Sequence, residues 1–442
     1  MGFLDKLFHS EDEVPSPAYH RHFGRYSDNN KTKAQLDAWK KAAKLYKEKK
    51  YHQAAEQFFL YVRDSYTNNL EFARSEDGID FSFIQGSNRI RGKINKERIF
   101  ITSDLAKMTQ TSIPVMRKLL EQNYFLHYSK YVLKGDRIQL NMYTDLTSAD
   151  PNKLYYAMKE LAVRADKVDD LLVNDFEPIK EASNEHIVHA SPEVVTVKYK
   201  YFKKWLKETV ALMDDLNSDT LAGAITYSIL AFIFRTDYLI MPEGKLTADL
   251  EKINSYFWLN AEKTQAAERN ATMRSMLIKV DKEWDQERFA QHIYSSKHTF
   301  SITQPQPYKT VVETIGEALK NIVWYRENNH EDIANVIMEY ALSYTQFSFS
   351  VPKAVTDLFD VFMHVNHSKY YKELGVQQEY YNPAEKSFDR EEIQKSIDKI
   401  VEDSKERYPK LKFDFAKMKF DNLLDFNTMF LIELTKLDFS KK

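Results

Sequence analysis

The first regular stretch of the chain begins at Lys31 and shows apolar residues every three or four positions. The apolar positions before the break at residues 49–50 are Ala38, Trp39, Ala42, Leu45 and Tyr46, and those after it are Tyr51, Ala54, Ala55, Phe58, Phe59 and Val62. Because an α-helix has 3.6 residues per turn, this spacing predicts two amphipathic helices. We expect them to pack as a helical hairpin over residues 34–62.

The apolar period falls to two between residues 79 and 143, which predicts β-strands. The first three strands are marked by the apolar positions Ile79, Phe81 and Phe83, then Ile90 and Ile94, then Ile99 and Ile101. A turn at residues 85–88 joins the first two. A short helix follows, with Ser112 as its expected N-cap and with the apolar side Val115, Met116, Leu119 and Leu120. Two further strands, residues 124–133 and 137–143, meet at the turn Gly135-Asp136.

A long helix closes this region. It opens at Asp150-Pro151, and its apolar stripe is Leu154, Met158, Leu161, Ala165, Val168 and Leu172. The stripe is long enough to cover one face of a sheet. The pattern therefore predicts an α+β N-terminal domain, in the order helix, three strands, helix, two strands, helix, around an antiparallel sheet. A large all-α C-terminal domain is expected to follow it.

The C-terminal half has a helical period throughout. Ten helices are expected, at residues 197–216, 220–239, 246–258, 261–280, 285–294, 310–324, 332–344, 352–365, 390–407 and 420–437. The predicted division of the chain is an apolar N-terminal segment with a flexible tether at 1–30, the α+β domain at 31–180, a linker at 181–196 and the helical domain at 197–442. The segment 302–308 contains two prolines and is a candidate boundary between two helical subdomains.

Two resemblances to known families accompany these patterns. The hairpin at 34–62 is similar to a single tetratricopeptide unit, with a Trp and a Leu-Tyr in the first helix and with Tyr, Ala and an aromatic residue in the second. No second copy follows. Because one unit cannot build the groove of a repeat array, we expect a packing element, and a partner-binding repeat is the alternative.

The second resemblance covers roughly residues 52–175. The run LLEQNYFLHYSKYVLKGDRIQLNMYTDL at 119–146 and the helix KLYYAMKELAVRADKVDDLL at 153–172 resemble the type III secretion chaperone-like fold, including the YbjN-type family of bacterial proteins. Relatives with this fold commonly dimerise and hold extended segments of client proteins. The resemblance therefore implies protein binding. Secretion chaperones are usually small, acidic and single-domain, whereas this chain is long and near neutral. The C-terminal half resembles no family that we recognise.

Composition narrows the functional classes. The 442 residues include no cysteine, which excludes disulfides, thiolate catalysis and cysteine-based zinc sites. A net charge of -2 provides no overall attraction to nucleic acid, so we expect no nucleic acid partner and only local basic surfaces. The first eight residues lack the features of a secretory signal. The most apolar stretch, residues 221–234, is shorter than the roughly 20 residues that span a bilayer. We interpret it as a core helix of a cytoplasmic protein, with a membrane segment as the alternative.

Catalytic signatures are missing from the sequence. It has only 10 glycines and contains no glycine-rich phosphate loop, G-x-S-x-G elbow or H-E-x-x-H motif. The candidate metal ligands are three histidine pairs, His186 with His189, His364 with His367, and His20 with His22. Each pair lacks a close third ligand, so we expect no metal and no cofactor.

Two features favour docking on a partner or a membrane. The helix after Lys31 carries a local excess of lysines, and its docking candidates are Lys40, Lys41, Lys44 and Lys47. The N-terminus has an apolar patch formed by Phe3, Leu4, Leu7 and Phe8. A solvated helix face and a segment folded back on the protein are the alternatives.

The sequence therefore favours a non-enzymatic adaptor or chaperone-like protein of bacterial type that binds a protein client. It leaves open whether the chain forms a homodimer. The alternatives are a metal- or ligand-dependent enzyme with a pocket between its domains, and a peripheral protein that contacts the inner membrane surface weakly through its N-terminus.

Overall fold

The structure, a computed structural model, describes residues 23–64, 66–182 and 186–440. Two clusters of buried apolar side chains divide it into a sheet-containing part and a helical part. This confirms the predicted fold class, an α+β N-terminal region followed by a largely helical C-terminal region. The strands lie in the region with an apolar period of two, and most helices lie in the regions with a helical period.

Two helices and a seven-stranded antiparallel sheet begin the sheet-containing part. The helices are α1 (Lys33–Lys47) and α2 (Tyr51–Val62), and the strands are β1 (Leu70–Ser75), β2 (Gly78–Gln85), β3 (Asn88–Ile94), β4 (Arg98–Met108), β5 (Ser129–Lys134), β6 (Arg137–Asp145) and β7 (Ile179–Glu181). The spatial order is β1-β2-β3-β4-β6-β5, with β7 paired to β4. Strand β5 therefore lies at one edge of the sheet.

Two more helices complete this part. They are α3 (Ile113–Asn123), which connects β4 to β5, and α4 (Pro151–Asp175), which follows β6. Asp150 caps α4 by accepting hydrogen bonds from the backbone N–H groups of Asn152 and Lys153, as predicted. The apolar stripe of α4 and the buried side of α2 cover one sheet face. The other face is exposed.

The strand pattern differs from the prediction at three places. Strand β1 precedes the first predicted strand and was missed, and β7 is an additional short strand. The strand predicted at 124–133 begins only at Ser129, because residues 124–128 form the connection from α3. Ser112 makes no side-chain cap to α3.

Eleven helices of the described chain form the helical part. They are α5 (Pro192–Asp215), α6 (Ala222–Arg235), α7 (Gly244–Asn260), α8 (Ala266–Glu283), α9 (Gln286–Gln291), α10 (Tyr308–Glu327), α11 (Glu331–Ser348), α12 (Lys353–Asn366), α13 (Ser368–Glu373), α14 (Arg390–Ser404) and α15 (Leu423–Leu434). Helix α5 begins inside the predicted linker 181–196, because Ser191 and Pro192 form a helix start. One buried cluster contains side chains from both sides of residues 302–308.

The most apolar helical stretch lies in this core. Among the residues that the structure describes, Ala222–Ile240 alone has the length and composition to cross a membrane, and 78% of it is buried inside the protein. It comprises α6 and a π-helical turn, Thr236–Ile240. The burial supports the interpretation of residues 221–234 as a core helix.

Residues 23–31, which we call the N-terminal strap, correct the predicted flexible tether. Phe23 is buried against Tyr238 in the helical core. Gly24 has a φ of 80°, and a Cβ there would lie 2.9 Å from the Tyr238 ring, so the close approach requires glycine. Arg25 binds the carboxylates of Asp237 and Glu251. The residues of the strap are polar and aperiodic, which is why the sequence pattern predicted a tether.

The strap also contacts the sheet-containing part. Asp28 accepts a hydrogen bond from the Tyr155 hydroxyl on α4, and the Lys31 ammonium lies 5.0 Å from the centre of the Tyr61 ring. Asn30 accepts a hydrogen bond from the backbone N–H of Lys353 at the start of α12. The strap therefore joins the two parts of the molecule. The rest of the predicted tether, residues 9–22, lies outside the described residues.

A second junction forms where the loop before α10 meets the end of β2. The buried amide oxygen of Gln85 accepts hydrogen bonds from the N–H groups of Thr299 and Phe300, at 3.1 and 3.0 Å. The Phe300 ring then packs in the core of the sheet-containing part, beside Phe83 and Tyr155. We call Gln85 with residues 298–300 the Gln85 junction.

We predict that Arg25→Ala lowers the free energy of unfolding by about 3–5 kcal/mol, because it leaves the buried carboxylate of Asp237 without its cation, whereas Glu251 keeps Lys167. The side chains of Arg25 and Asp237 are only 12% and 13% exposed. Denaturant unfolding measures the change. Arg74→Ala is the control, since it removes an exposed ion pair with Glu56. A loss as small as in the control would contradict a stabilising role for the strap.

We also predict that stability falls as the pH drops below about 6.5. The Gln85 amide nitrogen faces Nδ1 of His298 at 3.2 Å, because the amide oxygen already accepts two backbone hydrogen bonds. Nδ1 must therefore act as the hydrogen-bond acceptor. Protonation of Nδ1 would place its N–H against the N–H of the Gln85 amide, so that two donors face each other. Burial lowers the pKa of His298, and the carboxylate of Asp166 only partly opposes this effect. The unfolded chain binds the proton more tightly, so acid favours unfolding.

Denaturant unfolding at about pH 7.5 and about pH 5.5 tests this contribution, with His298→Gln as the comparison. The variant cannot take up the proton, so we expect a smaller loss of stability on acidification than in the wild type. An equal loss in both proteins would show that other groups cause the pH dependence.

Candidate protein-binding surface

An exposed apolar stripe runs along the outer side of α3. Its members are Ile113, Leu120 and Tyr124, whose spacings of seven and four residues place them on one helix face. They are 73%, 67% and 86% exposed, and the neighbouring Phe125 is 57% exposed. We call these four residues the α3 surface. Apolar side chains on an ordinary solvated helix are scattered singly, so this grouping indicates a contact surface.

The opposite side of α3 anchors the helix. Val115 and Leu119 are buried in the core of the sheet-containing part. The sequence predicted Val115, Met116, Leu119 and Leu120 as the apolar side of this helix, but the structure buries Val115 and Leu119 and exposes Leu120. The helix thus has apolar residues on two sides, and only one side meets the core.

The segment after α3 is held by a single carboxylate. Glu160 on α4 accepts hydrogen bonds from the backbone N–H groups of His127, Tyr128 and Ser129, at 2.8, 2.9 and 2.9 Å, and from the Ser129 hydroxyl. Burial acts to raise the pKa of Glu160, but these hydrogen bonds outweigh it and lower the pKa. The ionised carboxylate therefore fixes the segment that presents Tyr124 and Phe125.

The edge of the sheet beside this segment is partly closed. Asn123 donates to the carbonyl oxygen of Tyr131 and accepts from its N–H, at 3.3 and 2.7 Å, so its amide occupies the outer backbone groups of β5. Glu160 occupies the N–H of Ser129. Such capping hinders another strand from pairing with the edge. A partner at the α3 surface would therefore bind chiefly through side-chain contacts.

Four of the candidate metal ligands lie in the described chain and have other surroundings there, whereas His20 and His22 lie outside the described residues. His364 stacks on Tyr371 with ring centres 4.1 Å apart, whereas Nε2 of His367 lies 3.2 Å from Glu339. His189 packs beside Tyr294, and burial lowers the pKa of His186, assisted by nearby cations. Across residues 23–64, 66–182 and 186–440, no three His, Cys, Asp or Glu side chains come together in a way that could hold a metal.

The predicted docking residues are divided between described and undescribed chain. Lys40, Lys41, Lys44 and Lys47 are exposed on α1, and Lys40 lies 3.5 Å from Asp37. Phe3, Leu4, Leu7 and Phe8 lie outside the described residues. The α1–α2 hairpin packs against α4 through Trp39, whose ring contacts Tyr61 and Tyr155, as a packing element does.

The α3 surface was not among the predicted sites. Tyr124 and Phe125 were assigned to a strand, and Leu120 to the same apolar helix side as Val115 and Leu119. The available signal was the second apolar spacing of α3, Ile113, Leu120 and Tyr124, which exceeds what one buried side requires.

We compared the chain with protein-family models and with curated proteins. No protein-family model matches the chain, and no curated protein matches it significantly. The resemblance to the secretion chaperone-like fold therefore rests on the sequence pattern alone.

We predict that Glu160→Gln accelerates hydrogen exchange at the backbone amides of residues 127–129, because the neutral amide side chain offers a single acceptor oxygen where the carboxylate offers two. Hydrogen exchange followed by mass spectrometry measures the effect. Glu121→Gln on α3 is the control, since it removes a nearby exposed carboxylate. Equal exchange in both variants would contradict the holding role of Glu160.

Proposed function

We propose that this protein is a non-enzymatic adaptor or chaperone-like protein that binds a protein partner through the α3 surface. The observation that carries the proposal is the exposed stripe of Ile113, Leu120 and Tyr124 on a helix whose other side is anchored in the core. Fully burying an aliphatic or aromatic side chain of this size contributes about 1.5–3 kcal/mol. Several adjacent ones provide a basis for specific association.

The surface has the composition of an interface centre. Its two aromatic residues, Tyr124 and Phe125, are of the type that contributes most to binding when it is buried by a partner. Their ring centres are 5.4 Å apart in an edge-to-face arrangement, and Glu160 restrains the segment beside them. A restrained aromatic pair loses little conformational entropy on binding.

Flanking charges indicate the chemistry of the partner. Arg117 lies within the stripe between Ile113 and Leu120, and Lys118 follows it; both are exposed. Since β5 is capped at Tyr131, we infer that the partner presents an amphipathic helix, with apolar residues for the stripe and acidic residues for Arg117 and Lys118. The resemblance over residues 52–175 includes this surface and supports protein binding.

We predict that Leu120→Asp combined with Tyr124→Asp abolishes capture of the partner, because two buried charges would oppose the apolar contact. The tagged protein is expressed in its native host, and captured proteins are identified by mass spectrometry, with a photo-crosslinker at position 113 to locate the contact. Val323→Asp is the control, since Val323 is a half-exposed residue on the distant helix α10.

A protein captured by the wild type and the control, crosslinked at position 113 through an acidic amphipathic helix and lost with the double variant, would support the proposal. Equal capture by all three forms would overturn it. Light scattering of the purified chain gives the remaining outcome: a dimer that the double variant converts to monomer would assign the surface to a second copy instead.

A further inference from the structure

The solvent face of the sheet gathers aromatic and basic side chains from four strands. Side chains alternate between the two faces of a strand, so the strand register defines which residues are neighbours on this face. One row across the sheet runs Asp80, Lys93, Phe100, Tyr143, and the next row runs Ser82, Arg91, Thr102, Asn141, Lys130. The first row ends at β6 and the second reaches the edge strand β5, and neither row contains a residue of the α3 surface.

The two aromatic residues of the first row are directly opposite each other. Phe100 on β4 pairs with Tyr143 on β6, and they are 44% and 59% exposed. The opposite sheet face is covered by α2 and α4, so these rings are not part of that core. Two exposed rings at paired positions on a sheet face provide surfaces on which planar groups can stack.

Cations surround this aromatic pair. Lys93 is the cross-strand neighbour of Phe100, and Arg91 and Lys130 lie in the next row; all three are exposed. The Lys130 ammonium is 5.0 Å from the centre of the Tyr143 ring. Acids also lie on this face, but several of them bind other cations: Asp77 pairs with Lys93, Asp104 with Arg137 and Asp145 with Arg98, while Asp80 ends the first row. Neither Arg91 nor Lys130 forms an ion pair with a described residue, so both are available to an anion.

We propose that this face binds single-stranded nucleic acid. Bases stack on Phe100 and Tyr143, and backbone phosphates contact Arg91 and Lys130. This combination of aromatic stacking and a basic track is the general physical basis of single-strand recognition on open sheet faces. The hydroxyl of Thr102 donates to the side-chain oxygen of Asn141 at 2.6 Å, which places hydrogen-bonding groups between Arg91 and Lys130, in the row next to the two rings.

The proposal replaces the expectation of no nucleic acid partner, which rested on the net charge of -2. Net charge sums the whole chain, whereas a ligand meets one face. An acidic peptide would also be attracted by Arg91 and Lys130, but the exposed rings of Phe100 and Tyr143 favour planar bases. The proposal is independent of the protein-binding function of the α3 surface.

Fluorescence anisotropy with labelled oligouridine and oligodeoxythymidine of about 16 nucleotides tests the proposal, over about 50 to 200 mM salt. We expect binding that weakens with salt. Arg91→Gln with Lys130→Gln should reduce affinity about tenfold and decrease the steepness of the salt dependence by about 1.4, since about 0.7 is expected for each phosphate contact on a single strand. Phe100→Ser or Tyr143→Ser should reduce affinity about tenfold without changing the salt dependence.

Lys309→Gln with Lys395→Gln is the charge-matched control, because these side chains are 83% and 77% exposed on the helical part. Circular dichroism melting verifies that each variant is folded. If the Phe100 or Tyr143 variant does not fold, the Arg91 and Lys130 variant still tests the proposal. Absence of binding at low salt would overturn the proposal, as would equal weakening by the control. Displacement of the oligonucleotide by polyglutamate at lower concentration than by unlabelled oligonucleotide would assign the face to acidic peptides instead.

Discussion

The architecture depends on one buried amide that both parts of the molecule share. Gln85 ends a strand of the sheet, yet its oxygen accepts hydrogen bonds from the backbone of the helical part, and its nitrogen faces His298. A buried amide without partners would be strongly unfavourable, so the sheet and the loop stabilise each other only when they meet. Because Phe300 follows directly, the same contact places an aromatic ring from one part in the core of the other.

The sequence predicted the elements whose burial is periodic and missed those held by individual contacts. Alternation along β2 and β6 and the stripe of α4 were sufficient to predict the antiparallel sheet and its covering helix. Strand β1 was missed because Leu70 and Phe72 provide only two apolar positions before exposed residues. The strap was missed because Arg25 is stabilised by Asp237, 212 positions later in the chain, and no local pattern reports such a pair.

The candidate surfaces likewise divide into one that local periodicity predicts and two that depend on tertiary contacts. The exposed lysines of α1 could be predicted, since helical spacing alone places them on the outside. The α3 surface required knowledge of which of two apolar sides meets the core, and that depends on the position of β5. The basic aromatic face required the strand register, because Phe100 and Tyr143 are distant in sequence and become neighbours only by pairing. In each case the missing information was tertiary.

The strap has a consequence for how the chain is synthesised. Its residues are synthesised long before their partners, which include Asp237, Glu251, the backbone near Val351 and the side chain of Arg407. The strap therefore cannot complete its contacts until the chain has been made as far as Arg407. Until then the side chains of Phe23 and Tyr238, which bury each other in the folded protein, stay exposed. We therefore expect nascent chains of this protein to need shielding of these apolar side chains from non-native contacts during synthesis. The need should be greater than in a protein whose domains fold one after another as they are synthesised.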